Sequence, residues 1–345
     1  MSTQVAMTKS NPMQTFLWLL KREYWEHRGG FLRAPLITAG VMIAITLLTL
    51  LIAESAASRH GINLGGMNLD AISRNMTADQ IALFNSGLNA GLMVISVPIM
   101  VALFFVVFFY LLGALYDDRR DRSVLFWKSL PVSDLHTVLS KAAAAAVVAP
   151  LLAIAAVIVL HLAFLLIVSV YAMLHGVNPL PLLWNPRLLV SLWARLILLI
   201  PITALWALPT VGWLLLCSSF VRSKPFLWAV LLPLIAGILI GMVGLMQQLS
   251  LPSMWYWRNI VGRILLGFLP GSWLGAFGGS IFGIFKSGDN IDIALAKGDI
   301  ISAVLSWDHI VGILGSLDLW LGVAAGIGMI AAAVYFRRRR IETSV

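Results

Sequence analysis

The sequence predicts an all-α polytopic membrane protein with six transmembrane helices, an N-terminal interfacial helix, and an outer-face helical or re-entrant excursion before the last span. Three observations carry this reading. The 345 residues are 60% hydrophobic and 11% charged, with a mean hydropathy of +0.93, whereas about a quarter of the residues in a soluble domain are charged. Apolar stretches at roughly 34–53, 92–115, 142–170, 192–217, 226–246 and 311–336 each provide the ~20 residues that a helix needs to cross hydrocarbon. Basic residues gather on alternate links. With the N-terminus in the cytoplasm, the inside segments hold sixteen of the 24 Lys and Arg, so the positive-inside rule places both ends there.

The elements follow in order within a single membrane domain over 1–345. Residues 13–30 read as a helix lying in the interface: Phe16, Leu17, Leu20, Tyr24 and Phe31 line an apolar side, Lys21, Arg22, Glu23 and Arg28 stay wet, and Gly29–Gly30 break the helix. The stretch before the first span lacks the basic region, short apolar core and cleavage site of a secretory signal, so that span is expected to be retained. A polar outer loop of about 54–91 follows. Pro150, Pro201 and Pro209 predict tilt or kinks in the over-long third and fourth spans. In the fifth, Gly237, Gly241 and Gly244 permit close helix contact, within the chain or between copies. The excursion covers 247–310. Its stretch 264–285 is long enough to cross, but Pro270, its glycines and the charge count favour an interfacial or re-entrant course.

Several function classes lack their chemistry. The net charge of +9 belongs to topology and membrane lipids rather than to nucleic acid, because the bases flank apolar runs. Cys217 stands alone, so neither a disulfide within the chain nor a thiolate metal cluster is expected. No G-x-x-x-x-G-K-[ST] occurs, nor H-E-x-x-H, nor G-x-S-x-G. Glu23 and His27 share a helix face but lack two further metal ligands, and Asp308–His309 reads as a local pair, so no metal or catalytic set is assigned. His161 and Glu54, inside or beside spans, are candidate pathway groups.

The link between the second and third spans is different. Residues 116–141 begin with the mixed-sign cluster Asp117, Asp118, Arg119, Arg120, Asp121, Arg122, continue through the apolar patch Val124, Leu125, Phe126, Trp127, Leu130, and reach Pro131 before Ser133 and Asp134 cap a new helix. A loop that only had to stay dissolved would not need that patch. It suits docking on a partner protein or an elbow lying on the membrane face.

As a whole, "LYDDRRDRSVLFWKSLPVSDLHTVLSK" at 115–141 resembles the cytoplasmic segment between the second and third spans of bacterial ABC-2 type export permeases, and the six-span layout extends the resemblance over most of the chain. The resemblance implies a non-catalytic permease subunit in the bacterial inner membrane. It would work as a homodimer with two copies of a separate cytoplasmic ATPase, which holds the Mg-ATP while this chain holds no cofactor. It assigns coupling to Asp117–Arg122 and to the patch Val124–Leu130, and ATPase contacts to Glu23, Tyr24 and Arg28. By the same analogy the second and fifth spans line the permease interface where substrate passes. Asn85, Asn89 and Ser96 are candidate contacts there, although these side chains suit helix–helix hydrogen bonds equally. Trp255, Trp257 and Trp273 suit a lipid-like or amphipathic cargo, but aromatic belts accompany many cargoes. An ATP-independent secondary transporter or channel, and a membrane scaffold or sensor for an ATPase, are the alternatives.

Overall fold

A computed structural model describes residues 12–60, 76–129, 132–250, 252, 254–272 and 307–339, and the described residues contain helices and no strand. Among the described residues, six helical stretches are long and apolar enough to cross a membrane: Pro12–Arg59, Ala78–Arg120, Asp134–Leu174, Leu180–Phe220, Pro225–Met242 and Leu317–Arg339. The chain is thus a multi-pass membrane protein.

The first stretch comprises α1 (Pro12–Arg28), a π-helical turn (Gly29–Arg33) and α2 (Ala34–Arg59). The expected break at Gly29–Gly30 does not occur. The helix kinks at His27 (φ −110°, ψ 17°) and continues. Gly30 serves contact instead: a β-carbon there would lie 2.9 Å from Val106 Cγ1, so its absence lets the two backbones approach. The expected amphipathic faces of α1 also change. Glu23 and Leu19 are buried, while Leu17 is exposed.

The second span begins earlier than its apolar core. Thr77 and Gln80 form a reciprocal capping box at the start of α3 (Ala78–Ala114), which satisfies two N–H groups of the first turn. At the other end follow α4 (Tyr116–Arg120), α5 (Ser123–Ser129) and, capped by Ser133, α6 (Asp134–Ala143). A second π turn (Ala144–Val148) leads into α7 (Ala149–Leu174). Both π turns precede a proline by two residues, Pro35 and Pro150. The proline has no N–H to donate, and the wider turn absorbs the gap in the helical ladder.

The short α8 (Leu180–Leu183) leads to α9 (Pro186–Phe220), which stays helical through Pro201 and Pro209. After a tight turn with Lys224 left-handed (φ 52°) come α10 (Pro225–Met242) and α11 (Leu245–Gln248). Within the excursion, a π turn (Trp257–Val261) and α12 (Gly262–Leu266) fold back into the bundle, burying Val261, Leu265 and Phe268 in its core. Thr210 Oγ1 donates to Arg263 O (2.7 Å) and accepts from Gly267 N (3.1 Å), and Arg263 stacks on Trp206 at 4.0 Å. Residues 273–306, including Trp273 and most of 264–285, lie outside the described residues.

The chain closes with α13 (Trp307–Leu314) and α14 (Leu317–Arg339). The contact of α14 with α9 is backbone to backbone: a β-carbon on Gly212 would sit 2.6 Å from Gly326 O, and one on Gly326 would sit 2.6 Å from the carbonyl carbon of Leu208. In hydrocarbon, where helices gain little from burying apolar surface, such close approach supplies dispersion contact. In the fifth span, Gly237 lies against Tyr256 and Trp257 of the same chain, while Gly241 has open space beside it.

Candidate functional site

The charged end of the bundle, where the second half of α1, the α3–α6 link and the end of α14 meet, is organised around Glu23. Its carboxylate is fully buried. Tyr110 donates to Oε2 at 2.8 Å, Lys141 Nζ lies 3.2 Å from Oε1, and Arg22 pairs with it from the preceding position. Lys141, 2% exposed, also lies 3.8 Å from Asp118 Oδ2. Arg337 extends the chain of charges, with Nη1 3.0 Å from Asp118 Oδ2 and Nε 3.2 Å from Asp134 Oδ1. Three cations thus face three carboxylates, and five helices are tied together. Buried charges persist only when paired in this way, since an unpaired one would carry its full desolvation cost.

Arg119 is also buried. Its guanidinium donates to Ser218 O (2.6 Å) and Val221 O (3.0 Å), the carbonyls that end α9, while Ser218 Oγ accepts from Leu115 N and Tyr116 N, both at 2.9 Å. The cation completes a helix C-terminus. The link carrying α4 and α5 is therefore clamped to the fourth span.

The residues singled out in the sequence divide into two groups. Asp118, Arg119 and Glu23 point inward and are engaged by the protein itself. Asp117, Arg120, Asp121 and Arg122 are exposed, with Arg120 bridging Asp117 (3.3 Å) and Asp121 (3.0 Å). Arg122 is left-handed at φ 57° and marks the turn into α5. On α5, Phe126 is 60% exposed, edge-on to Trp127 at 5.1 Å, and Trp127 is half-buried beneath the Arg22 guanidinium at 4.0 Å. Tyr24 packs edge-on against Trp25, over which the exposed Arg28 lies at 5.6 Å. The side chains of Val124 and Leu125, and Leu130 as a whole, lie outside the described residues.

Sequence reasoning missed the roles of Lys141, Asp134, Tyr110, Arg337 and Ser218. Asp134 and Lys141 stand seven residues apart, two helical turns, and so share a face. That spacing was readable, but nothing local announced Glu23 as their neighbour. Beside α5, a recess of about 340 Å³ is lined by Trp127, Ser133, Asp134, Thr137, Arg337 and Arg338. Glu23, Glu26 and His27 bring ligand atoms within 4.8 Å of one another, but Glu23 is already neutralised by Lys141 and Arg22, so the cluster is an ion-pair centre.

Within the membrane, Ser96 and His161 form one knot. His161 Nε2 lies 2.7 Å from Ser96 Oγ and 2.9 Å from Leu92 O, and Trp193 Nε1 donates to Nδ1 at 3.2 Å. The accepting Nδ1 leaves the proton on Nε2, a neutral imidazole binding three spans together. Asn85 and Asn89 continue the same face of α3 outward and are half-buried. At the opposite end of the bundle from Glu23, Glu54 accepts from Tyr171 at 2.8 Å and lies 3.0 Å from His175 Nε2, linking α2 to the end of α7. His175 is held above its ordinary pKa by its bond to Tyr171 O and then by the Glu54 carboxylate.

No family model, curated protein or solved structure matches the chain.

Proposed function

We propose that the chain is the membrane permease subunit of an ATP-driven exporter of the ABC-2 type, working with a separate cytoplasmic ATPase and with a second copy of itself in the bacterial inner membrane. The charged end faces the cytoplasm on this reading, as the distribution of Lys and Arg favours. The observation that carries it is α5: a short helix with an exposed phenylalanine on its outer side, braced beneath by the Arg22–Trp127 stack and by the Glu23–Lys141–Asp118–Arg337 chain. An apolar anchor on a rigid base is the arrangement in which a push from a docked partner reaches the spans rather than bending a loop. Coupling requires that the partner bind one permease state better than another, and the ion-pair chain joins α5 to the first, second, third and sixth spans. Mg-ATP belongs to the partner, and the exposed set Asp117, Arg120, Asp121 and Arg122 rims the contact.

The test is co-purification of the ATPase with the Phe126→Ala variant and stimulation of its turnover. Phe126 contributes little to internal packing, so membrane abundance and melting temperature stay at wild-type values. ATPase capture falls about tenfold or more, as for an apolar hot spot. Normal capture and normal stimulation at normal abundance would sink the assignment of α5 as the docking helix. Transport by the chain reconstituted alone, without any ATPase, would overturn the exporter reading itself.

A further inference from the structure

The first span is held loosely at the end opposite Glu23. Past Ala39, α2 buries no residue, and positions 51–56 are all exposed. Thr38, Thr46, Thr49, Ser55 and Ser58 bond back into their own helix. Among the described residues, the side-chain hydrogen bonds that tie α2 to a neighbouring helix are those of Glu54, to Tyr171 and His175 at the end of α7. The imidazole is engaged on both sides. Its Nδ1 lies 2.8 Å from Tyr171 O, one turn back, and its Nε2 lies 3.0 Å from Glu54 Oε2. A backbone carbonyl and a carboxylate can only accept, so both bonds exist together only when each ring nitrogen carries a proton. In the neutral ring one lone pair faces an oxygen. Nδ1–H keeps the bond inside its own helix, and Nε2 then turns its lone pair on Glu54.

We propose that His175 is a proton-operated latch, which fastens this end of the first span to the third and loosens it when the ring loses its charge. Glu54 is the one charged group acting on the ring among the described residues. Asp79 at the start of α3 and Arg187 at the start of α9 do not act on it, and α8 carries no ionisable side chain. The bond to Tyr171 O, and then the Glu54 carboxylate, hold His175 above its ordinary pKa. The latch is therefore closed below about pH 6.5 and opens as pH rises through the folded value. Tyr171 keeps its bond to Glu54 in both states, so the helix end loosens without leaving the bundle. The distribution of Lys and Arg puts this end outside, where the latch answers to the pH of the outer compartment. It does not rest on the exporter reading, because the chain alone contains every group involved.

The test uses the purified full chain in nanodiscs, whose two faces share one buffer, without ATPase or nucleotide. Nitroxide labels at Leu51→Cys and Met242→Cys, both exposed, in a Cys217→Ala background, report their separation by double electron–electron resonance from pH 5 to pH 9. One narrow distance is expected at pH 5. Toward pH 9 a second, broader population grows, up to about fivefold, the range of an exposed ion pair. His175→Gln and Glu54→Gln should each abolish this response. His175→Arg, charged throughout, should keep the narrow distance up to pH 9. A wild-type distribution that is the same at pH 5 and pH 9 overturns the proposal. So does a pH response that survives in His175→Gln and Glu54→Gln, or a His175→Arg protein that loosens in alkali as the wild type does.

Discussion

Replacing Lys141 with methionine removes the cation 3.2 Å from Glu23 while keeping most of the buried stem volume. Both groups are 2% exposed or less, so solvent cannot take over. At an effective dielectric of about 20, two unit charges at that separation attract by about 5 kcal/mol. Arg22 remains beside Glu23, and Arg337 beside Asp118, and they offset part of the loss. The expected cost is therefore about 3 kcal/mol, at the low end for breaking a buried pair. Glu23→Gln, which leaves Lys141 facing Asp118 at 3.8 Å, should cost a similar amount. The double variant should cost about 3 rather than 6 kcal/mol, because it strands no charge, leaving a coupling of about 3 kcal/mol. The assay is thermal unfolding of the purified protein in one lipid–detergent mixture, with all four members of the cycle compared. A cost of 3 kcal/mol corresponds to a drop of roughly 5–10 °C. Additive losses, or a Lys141→Met protein as stable as wild type, would refute the view that this pair is buried and mutually dependent.

Gly326→Ala should destabilise by about 1–3 kcal/mol, because the added carbon meets the Leu208 backbone, which cannot rotate away. Gly328→Ala, with open space beside it, should be neutral or better in the same melting experiment. Arg119→Met should strip the Ser218 and Val221 carbonyls of their donor and lower stability by about 2–3 kcal/mol, and enhanced hydrogen exchange at the α4 amides would show the link releasing. His175 titrates above its unfolded value, so the stabilisation it provides through Glu54 is fully present below about pH 6.5 and is lost as pH rises through the folded pKa. The melting temperatures of wild type and His175→Gln should therefore differ in acid and converge in alkali. A difference that does not change between pH 5 and 9 would remove that role.

The membrane architecture was legible because hydrocarbon imposes a length and a composition that a single sequence displays directly. Span boundaries were less so. The second span starts at Ala78 rather than near 92, since its outer part carries Asn85 and Asn89, yet the Thr77–Gln80 capping signal was there to read. The charged end shows where local reading stops. Glu23 sits among aromatics and arginines that suggest a wet helix face, but its partners Tyr110 and Lys141 stand 87 and 118 positions away, and only folding brings them into one hydrogen-bonded group. Arg119 reads the same as Arg120 in the sequence, and one is buried while the other is exposed. What separates them is helical phase: neighbours on α4 point about 100° apart, and only Arg119 is turned toward the Ser218 and Val221 carbonyls. The contact of Gly212 with Gly326 had no local marker either, because each glycine faces a helix more than a hundred residues away.

That contact has a mechanical meaning. Where two helices meet through backbone atoms, no layer of side chains can change rotamer and let one slide past the other, so the fourth and sixth spans turn as one rigid post. The first and fifth spans leave much of their length uncovered; the first packs on the second and third spans, and the fifth meets the post where Trp213 Nε1 donates to Ala229 O at 2.9 Å. On the exporter reading, opening and closing would move the other helices around this pair, which makes Gly212 and Gly326 part of the axle rather than part of the door.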